Sequence, residues 1–280
     1  MLHLWCMNPR VAFHEISKLC RSIILTSGTL SPMDSFSSEL EVKFDYKFEG
    51  SHVINLRKQL LIGSLSKGPG SVKMNATFKE SNSEKFQDSL GQLILDSCRN
   101  VKFGVLCFFP SYAFMDKLKK RWEHSGMLKK ILQIKEVIFE GRGIESGNNF
   151  KLEMDRFYNS IKDYEKIESE GKSSKKTGGL CLAICRGKIS EGIDFSNNRA
   201  RLVVSFVNFL MFEKICVGIP FPNVKDLKID LKKRFNDQYS KELNGQKWYC
   251  QQAYRAINQA IGRCIRHKDD CKMILFSTNF

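Results

Sequence analysis

Two six-residue stretches that carry no polar side chain constrain the fold more than any other feature. Gly104 to Phe109 runs up to Pro110, and Leu180 to Cys185 runs up to a loop of glycines and polar residues. A strand that is apolar on both faces needs cover from both sides, which the helices of an α/β protein supply. The two stretches therefore predict central strands of a parallel sheet.

Helical and extended patterns alternate around these two stretches. Glu84 to Arg99 has apolar residues at helical spacing, and Ser111 is placed to cap another helix, whose buried stripe is Met115, Leu118 and Trp122. We also predict short strands at Arg21 to Thr26, Leu60 to Ile62, Val137 to Phe139, Val203 to Val204 and Lys272 to Phe276, and helices at Phe150 to Ile167 and Asp226 to Tyr239. The sequence thus predicts an α/β fold, a parallel sheet with helices on both faces.

The stretch from Gln252 to His267 predicts a helix with two different faces. Its apolar residues fall on one side, and within an arc of about 80° on the other lie Gln252, Arg255, Gln259, Arg263 and Arg266. Guanidinium groups stay charged and offer forked donors to phosphate oxygens. Gly262 leaves room for the backbone to approach a ligand closely. Two arginines alone favour a solvated face, but the Gln-x-x-Gly-Arg-x-x-Arg spacing favours a polyanion site.

Two polar loops directly follow predicted strands. Thr26 to Pro32 follows the first predicted strand, and Arg186 to Phe195, with two glycines and two carboxylates, follows the strand that ends at Cys185. Ligands of α/β proteins bind at the carboxyl ends of the strands. Both loops are therefore candidate ligand sites, and the alternatives are an ordinary strand-end turn for the first and a tight strand connection for the second.

Charge favours a polyanionic partner. Lys and Arg number 45 against 30 Asp and Glu, which gives a formal net charge of +15. The ten cysteines show no zinc-binding spacing, and we interpret most of them as core thiols. The longest apolar run, Leu202 to Phe212, is about half the roughly 20 residues that a membrane span needs, so we expect no membrane association.

Gly171-Lys172-Ser173 is similar to the tail of a phosphate-binding loop. Lys166 stands where the first glycine of that motif would be, and no predicted strand precedes it. We interpret residues 168 to 179 as a flexible surface loop instead.

Four stretches in order resemble motifs III to VI of the DEAH-type iron–sulfur DNA helicases related to the xeroderma pigmentosum group D protein. They are Thr26 to Pro32, Phe108 to Tyr112, Arg186 to Phe195 and Gln259 to His267. Gly218 to Leu227 and Trp248 to His267 are most similar to the Fanconi anaemia group J branch of that family. The resemblance implies a RecA-like C-terminal motor domain of an ATP-dependent nuclear helicase that moves 5′ to 3′ on single-stranded DNA in genome maintenance.

The resemblance also implies roles for individual residues. ATP would be contacted by Gln259, Arg263 and Arg266, with Arg266 as the arginine finger. Glu191, Gly192 and Asp194 would link the nucleotide cleft to the motif V loop. Ser111, Tyr112, Lys188 and Ser190 would contact DNA, and Ser27 and Thr29 would couple hydrolysis to DNA. We expect no metal ligand in this chain.

The family pattern also sets expected domain boundaries. We expect residues 1–34 to end a first motor domain and residues 35–280 to form the second. The family's phosphate-binding loop, its Mg²⁺-binding carboxylates and its iron–sulfur cysteines would precede motif III, in a part that this chain lacks. About eleven residues of mainly apolar character, 205–215, are extra relative to the family and are either a lineage-specific insertion or an unspliced intron; we expect a hairpin or bulged loop there.

Three hypotheses remain at this point. The first is the second motor domain of a DNA helicase, sharing ATP and Mg²⁺ with a first motor domain and working with DNA-repair proteins. The second is a module that binds single-stranded DNA or a protein partner and has no ATPase of its own. The third is a non-functional gene fragment.

Overall fold

The structure is a computed structural model. It describes residues 4–28, 30–74, 80–141, 146–185, 187–189, 193, 195–205, 221–222, 225–240, 242–262, 264–265, 268–270 and 272–277. The helices are α1 Arg10–Leu19, α2 Met33–Leu40, α3 Leu56–Gln59, α4 Glu84–Asn100, α5 Tyr112–His124, α6 Met127–Leu132, α7 Ser146–Ser169, α8 Leu227–Tyr239 and α9 Gly245–Gly262. The strands are β1 Leu60–Leu65, β2 Val105–Phe109, β3 Glu136–Phe139, β4 Gly179–Ile184, β5 Leu202–Ser205 and β6 Lys272–Ser277.

The six strands form one sheet in the order β1-β6-β5-β2-β4-β3, and every neighbouring pair is parallel. Strands β2 and β4 lie side by side near the middle, with Val105 opposite Leu180 and Phe109 opposite Ile184. Both strands are buried along their whole length. The predicted parallel α/β fold is therefore confirmed, and the two fully apolar stretches are central strands.

Two apolar clusters cover the two faces of the sheet. Alternate residues of β2 belong to different clusters. Val105, Cys107 and Phe109 pack on one face with α4, α5 and α6. Leu106 and Phe108 pack on the other face with α7. The predicted stripe of α5 is buried, with Met115 at 3%, Leu118 at 0% and Trp122 at 1% exposure. Because side chains alternate along a strand, an all-apolar strand requires this two-sided cover.

The chain divides into two compact units. One comprises Met1–Ser51 and Phe221–Asn258, and the other comprises His52–Pro220 and Gln259–Phe280 and holds the sheet. The first unit has its own small cluster around Leu243, Trp248 and Tyr249. Phe221 stacks on the Tyr249 ring with centroids 4.6 Å apart, and the Tyr249 hydroxyl donates to the Pro222 carbonyl at 2.7 Å.

The predicted buried strand at Arg21 to Thr26 is wrong. These residues have no regular secondary structure, and the Ile24 side chain is 86% exposed. A strand forms only where a neighbour pairs with its backbone, and no strand in the described part of the chain lies beside this stretch. A short apolar run is therefore not sufficient to predict a strand.

The end of α7 accounts for Gly171. This residue has a φ of +69°, and the Lys172 N–H donates to the Ile167 carbonyl at 3.0 Å. Glycine adopts this left-handed conformation without steric cost and commonly ends helices in this way. A phosphate-binding loop would need to follow a strand. The Gly-Lys-Ser sequence here follows the end of a helix instead. The expected hairpin or bulge at 205–215 falls largely outside the described residues.

No helix in the described ranges is both long enough and apolar enough to cross a bilayer.

Candidate functional site

The carboxyl ends of three neighbouring strands form one edge of the sheet. Glu140 follows β3, the loop that begins at Cys185 follows β4, and Ser111 follows β2. The Glu140 N–H donates to the Leu182 carbonyl at 2.9 Å, and the Cys185 N–H donates to the Phe109 carbonyl at 3.0 Å. Since all three strands are parallel, the stretches that resemble motifs IV and V meet at this edge, which we call the motif edge.

Ser111 caps α5 at the motif edge. Its hydroxyl oxygen accepts the Phe114 N–H at 3.3 Å, which confirms the predicted cap, and the residue is exposed. A hydroxyl keeps its O–H donor while it accepts, so Ser111 can still donate to a phosphate oxygen. The adjacent amino end of α5 carries backbone N–H groups and a partial positive charge. Tyr112 is half-buried against the core, so only part of its ring is available for stacking.

The motif V loop is anchored in the core on both sides. Ile189 is 1% exposed near its start, and Phe195 is 0% exposed at its end, where it lies edge-on to Phe157 with ring centroids 6.1 Å apart. Lys188, next to the first anchor, is exposed. Ser190, Glu191, Gly192 and Asp194 lie outside the described residues. The structure therefore brings Lys188 and Ser111 to the same edge, and their contact with DNA stays a prediction.

Glu140 holds the beginning of the motif V loop, a role that sequence reasoning missed. Its carboxylate accepts the Ile184 N–H at 2.9 Å and the Ile189 N–H at 3.3 Å, and the residue is 3% exposed. A side chain at Gly187 would collide with that carboxylate. Charge-assisted bonds to two backbone donors fix the turn from which Lys188 projects. The available signal was a lone carboxylate directly after the strand Val137 to Phe139.

The predicted motif VI helix corresponds to α9, but the predicted extension to His267 is wrong, because α9 ends at Gly262 and Cys264 and Ile265 are not helical. Ala253 and Ala256 are 0% and 3% exposed, and Cys264 just beyond the helix is 0% exposed, so these members of the predicted apolar face are buried. Gln259 is exposed, as its predicted role on the opposite face requires. Arg263 and Arg266 lie outside the described residues. The nucleotide contacts of all three stay predictions.

Arg255 does not share the exposed position predicted for it. Its side chain is 15% exposed, and its Nη2 donates to the Ser35 hydroxyl at 2.8 Å. The guanidinium also lies 4.4 Å from the centre of the Phe36 ring and 3.8 Å from the Glu39 carboxylate. All three partners belong to α2, about 220 residues earlier in the chain. This arginine therefore binds a neighbouring helix and is not part of a solvent-facing row.

Helix α2 directly follows the stretch that resembles motif III. The Ser35 hydroxyl donates to the Pro32 carbonyl at 2.7 Å, and Ser35 is 4% exposed. A chain of two hydrogen bonds therefore runs from Arg255 through Ser35 to the last residue of that stretch. Ser27 is exposed, and Thr29 lies outside the described residues. Their coupling role stays a prediction. Ser35, which sequence reasoning missed, links the motif III stretch to α9 through its two hydrogen bonds.

In the described part of the chain, no three His, Cys, Asp or Glu side chains come together as a metal-binding group.

The chain is similar to known helicases. A family model for the helicase C-terminal domain matches residues 94–277. The Fanconi anemia group J protein homolog of Gallus gallus is 45% identical over 273 aligned residues, with 96% of this chain and 20% of that protein covered. The regulator of telomere elongation helicase 1 homolog of Oryza sativa subsp. japonica is 38% identical over 293 residues, with 98% of this chain and 26% of that protein covered.

Two solved structures share the fold. An apo XPD structure has a TM-score of 0.61 at 19% identity and covers 96% of this chain and 47% of its own. An XPD helicase structure has a TM-score of 0.59 at 20% identity and covers 96% of this chain and 41% of its own. At such identities the likeness shows the fold alone. The chain spans about a fifth to a quarter of the length of its curated relatives.

Proposed function

Because the chain belongs to the helicase C-terminal domain family, we propose that it is the second motor domain of an ATP-dependent DNA helicase that moves 5′ to 3′ on single-stranded DNA. Its sheet supplies the motif edge, and a first motor domain faces it across the nucleotide. In a motor of this kind each domain holds part of the ATP, so closure of the two domains follows nucleotide binding.

The observation that carries this proposal is the meeting of Ser111 and Lys188 at one edge of the sheet. The two follow neighbouring strands whose register pairs Phe109 with Ile184, and Glu140 fixes the turn beside Lys188. A hydroxyl donor, a helix amino end and a lysine offer three groups to phosphate oxygens and none that reads a base. Such contacts suit movement along a strand of any sequence. Ser190 and Tyr112 would add further contacts to this surface at the motif edge, which we call the DNA track.

ATP and Mg²⁺ would bind between this domain and the first one. Gln259, Arg263 and Arg266 would approach the γ-phosphate, and Arg266 would stabilise the charge that develops on the transferring phosphoryl group. Glu191, Gly192 and Asp194 would connect that cleft to the DNA track. Carboxylates of the first domain would hold Mg²⁺, which would supply positive charge to offset that of the phosphates.

The contact between Arg255 and Ser35 supports a route for coupling. Ser27 and Thr29 lie in the stretch that ends at Pro32, and the Ser35 hydroxyl joins Pro32 to the guanidinium of Arg255. Gln259 follows Arg255 by one helical turn on α9. A shift of the motif III stretch would therefore be transmitted to the helix that carries Gln259.

The cellular setting follows by analogy with the relatives. One has a name that refers to telomere elongation, and another is a Fanconi anemia group J protein homolog. We infer that this chain works in genome maintenance in the nucleus, with DNA-repair proteins as partners.

The test is binding of single-stranded DNA by the 280-residue chain at several salt concentrations. Lys188→Glu should weaken binding and reduce the slope of log affinity against log salt by about 0.7, the value for one phosphate contact on a single strand. Lys162→Glu, an equal charge change at an exposed position in the middle of α7, should have a smaller effect. Equal losses in the two variants would reject the track, because only the net charge would then matter.

A further inference from the structure

A second basic surface lies at the opposite edge of the sheet. A groove with a volume of about 700 Å³ opens where β1, β5, β6 and the segment before β2 begin. Its charged lining consists of Arg57, Lys58, Lys102, Arg201, Lys272 and Glu168. We call it the amino-edge groove, and none of its residues belongs to the motif stretches.

The charge of the groove is strongly one-sided. Of the five cations, Lys272 is buried against Asp270 and Lys102 is bound to Glu168 at 2.7 Å. Arg57, Lys58 and Arg201 are exposed, and in the described part of the chain their side chains make no ion pair. The attraction for an anion therefore comes mainly from these three side chains, which adjacent carboxylates do not neutralise.

The floor of the groove is rigid. Lys272 has no exposed side-chain surface, lies 3.2 Å from the equally buried Asp270 and donates to the Asn197 carbonyl. The Gln59 amide donates to the carbonyls of Lys268 and Asp270 at 2.6 and 3.0 Å. These bonds join the starts of β1 and β6, so the exposed cations project from a fixed frame.

We propose that the amino-edge groove binds the phosphate backbone of nucleic acid as a second site, separate from the motif edge. Arg57 and Lys58 precede β1, and Arg201 precedes β5, two strands away in the sheet. Two strand spacings are about 10 Å, close to the length of three phosphates in a stacked strand at about 3.4 Å each. The groove therefore offers cations at a spacing that a nucleic-acid backbone can match.

One short segment of single-stranded nucleic acid cannot bind at both edges of the sheet. Strand β2 has five residues, so the edges are separated by roughly 17 Å along the strands, with the packed sheet between them. Nucleic acid in the groove would be the second strand of an opened duplex or a more distant part of the same strand. The site is independent of motifs III to VI and does not rest on the proposed motor activity.

The experiment compares charge reversals in the 280-residue chain by fluorescence anisotropy. The probe is a labelled oligothymidylate of about 20 nucleotides, longer than a single binding module covers. The groove variant is Arg57→Glu/Arg201→Glu, and its control is Lys120→Glu/Lys162→Glu, the same charge change at exposed positions on α5 and α7. The groove variant should lose about tenfold in affinity at low salt and about 1.4 in salt slope, and the control much less.

Two further arms keep the outcome clear. Arg57→Gln/Arg201→Gln removes charge without adding any and should give about half of the effect, which covers the case of a reversal variant that fails to fold. Lys188→Glu on the motif edge should combine additively with the groove variant, since the sites are separate. A loss with Lys188→Glu and none with the groove variant would overturn the second site alone; the reverse result would overturn the motif-edge track alone.

A competing macromolecule provides the last arm. Polyglutamate should displace the oligothymidylate only weakly. If the groove variant lost polyglutamate binding but kept its full affinity for DNA, the groove would be a docking surface for acidic protein segments, and the proposed nucleic-acid site would be wrong.

Discussion

The guanidinium of Arg255 donates a hydrogen bond of 2.8 Å to the hydroxyl of Ser35, which itself donates to the Pro32 carbonyl. This contact joins α9 to α2, two helices far apart in sequence. Because Ser35 is buried and the arginine is 15% exposed, water competes little with the bond. The pair is therefore a buried hydrogen bond that holds the two helices together, and not a surface contact.

The connection predicts a measurable coupling. Ser35→Ala and Arg255→Lys should each lower the free energy of unfolding by about 1–2 kcal/mol, because each removes one partner of a buried, charge-assisted hydrogen bond. The double variant should cost about 1 kcal/mol less than the sum of the two. Urea denaturation measures all three, and Arg234→Lys, at a 76% exposed side chain on α8, is the control with little effect. Additive losses would mean that the two side chains do not interact.

Glu140 predicts a local effect on the motif V loop. Glu140→Gln places an amide donor against one of two backbone N–H groups, so the chain should lose about 1–3 kcal/mol of stability. Amide hydrogen exchange should accelerate at Ile184 and Ile189, while Leu106 in β2 stays protected. Glu123→Gln, at an exposed position on α5, should leave exchange unchanged. Unaltered exchange at Ile189 in the Glu140 variant would remove Glu140 from the control of this loop.

Glu140 and Arg255 also show which contacts can be predicted from the sequence and which cannot. The strands β2 and β4 and the Ser111 cap were predictable because they rest on an unbroken apolar run within one stretch or on a bond three residues away. Glu140 bonds to amides 44 and 49 residues later, and Arg255 to a helix 220 residues earlier. No local period encodes such contacts. The strand expected at Arg21 to Thr26 failed for the same reason, since a strand depends on its neighbours.

Lys135 predicts an unusual dependence of stability on pH. Its ammonium is fully buried and donates to the carbonyls of Val101, Phe103 and Thr177 at 2.8 Å each. Burial lowers the pKa of Lys135 from 10.5 to about 8. Between these two pH values the unfolded chain binds more protons than the folded chain, so stability rises with pH in that window.

Lys135→Met isolates this contribution. The free energy of unfolding of the wild-type chain minus that of Lys135→Met should increase by up to about 3 kcal/mol from pH 8 to pH 10.5. Other titrating groups cancel in this difference. Urea denaturation at a series of pH values measures it. A difference that falls as pH rises would show that the three carbonyls hold the proton more strongly than burial weakens it.

The most direct test of the proposed motor uses a matched partner domain. The chain is joined to the first motor domain of the Gallus gallus Fanconi anemia group J protein homolog, whose matching segment is 45% identical. ATP hydrolysis is then measured with and without single-stranded DNA. The account predicts DNA-stimulated hydrolysis that falls by about 10³-fold or more in Arg266→Ala. If the joined protein stays inactive, while the same first domain with its own C-terminal domain hydrolyses ATP, this chain is a non-catalytic binding module instead.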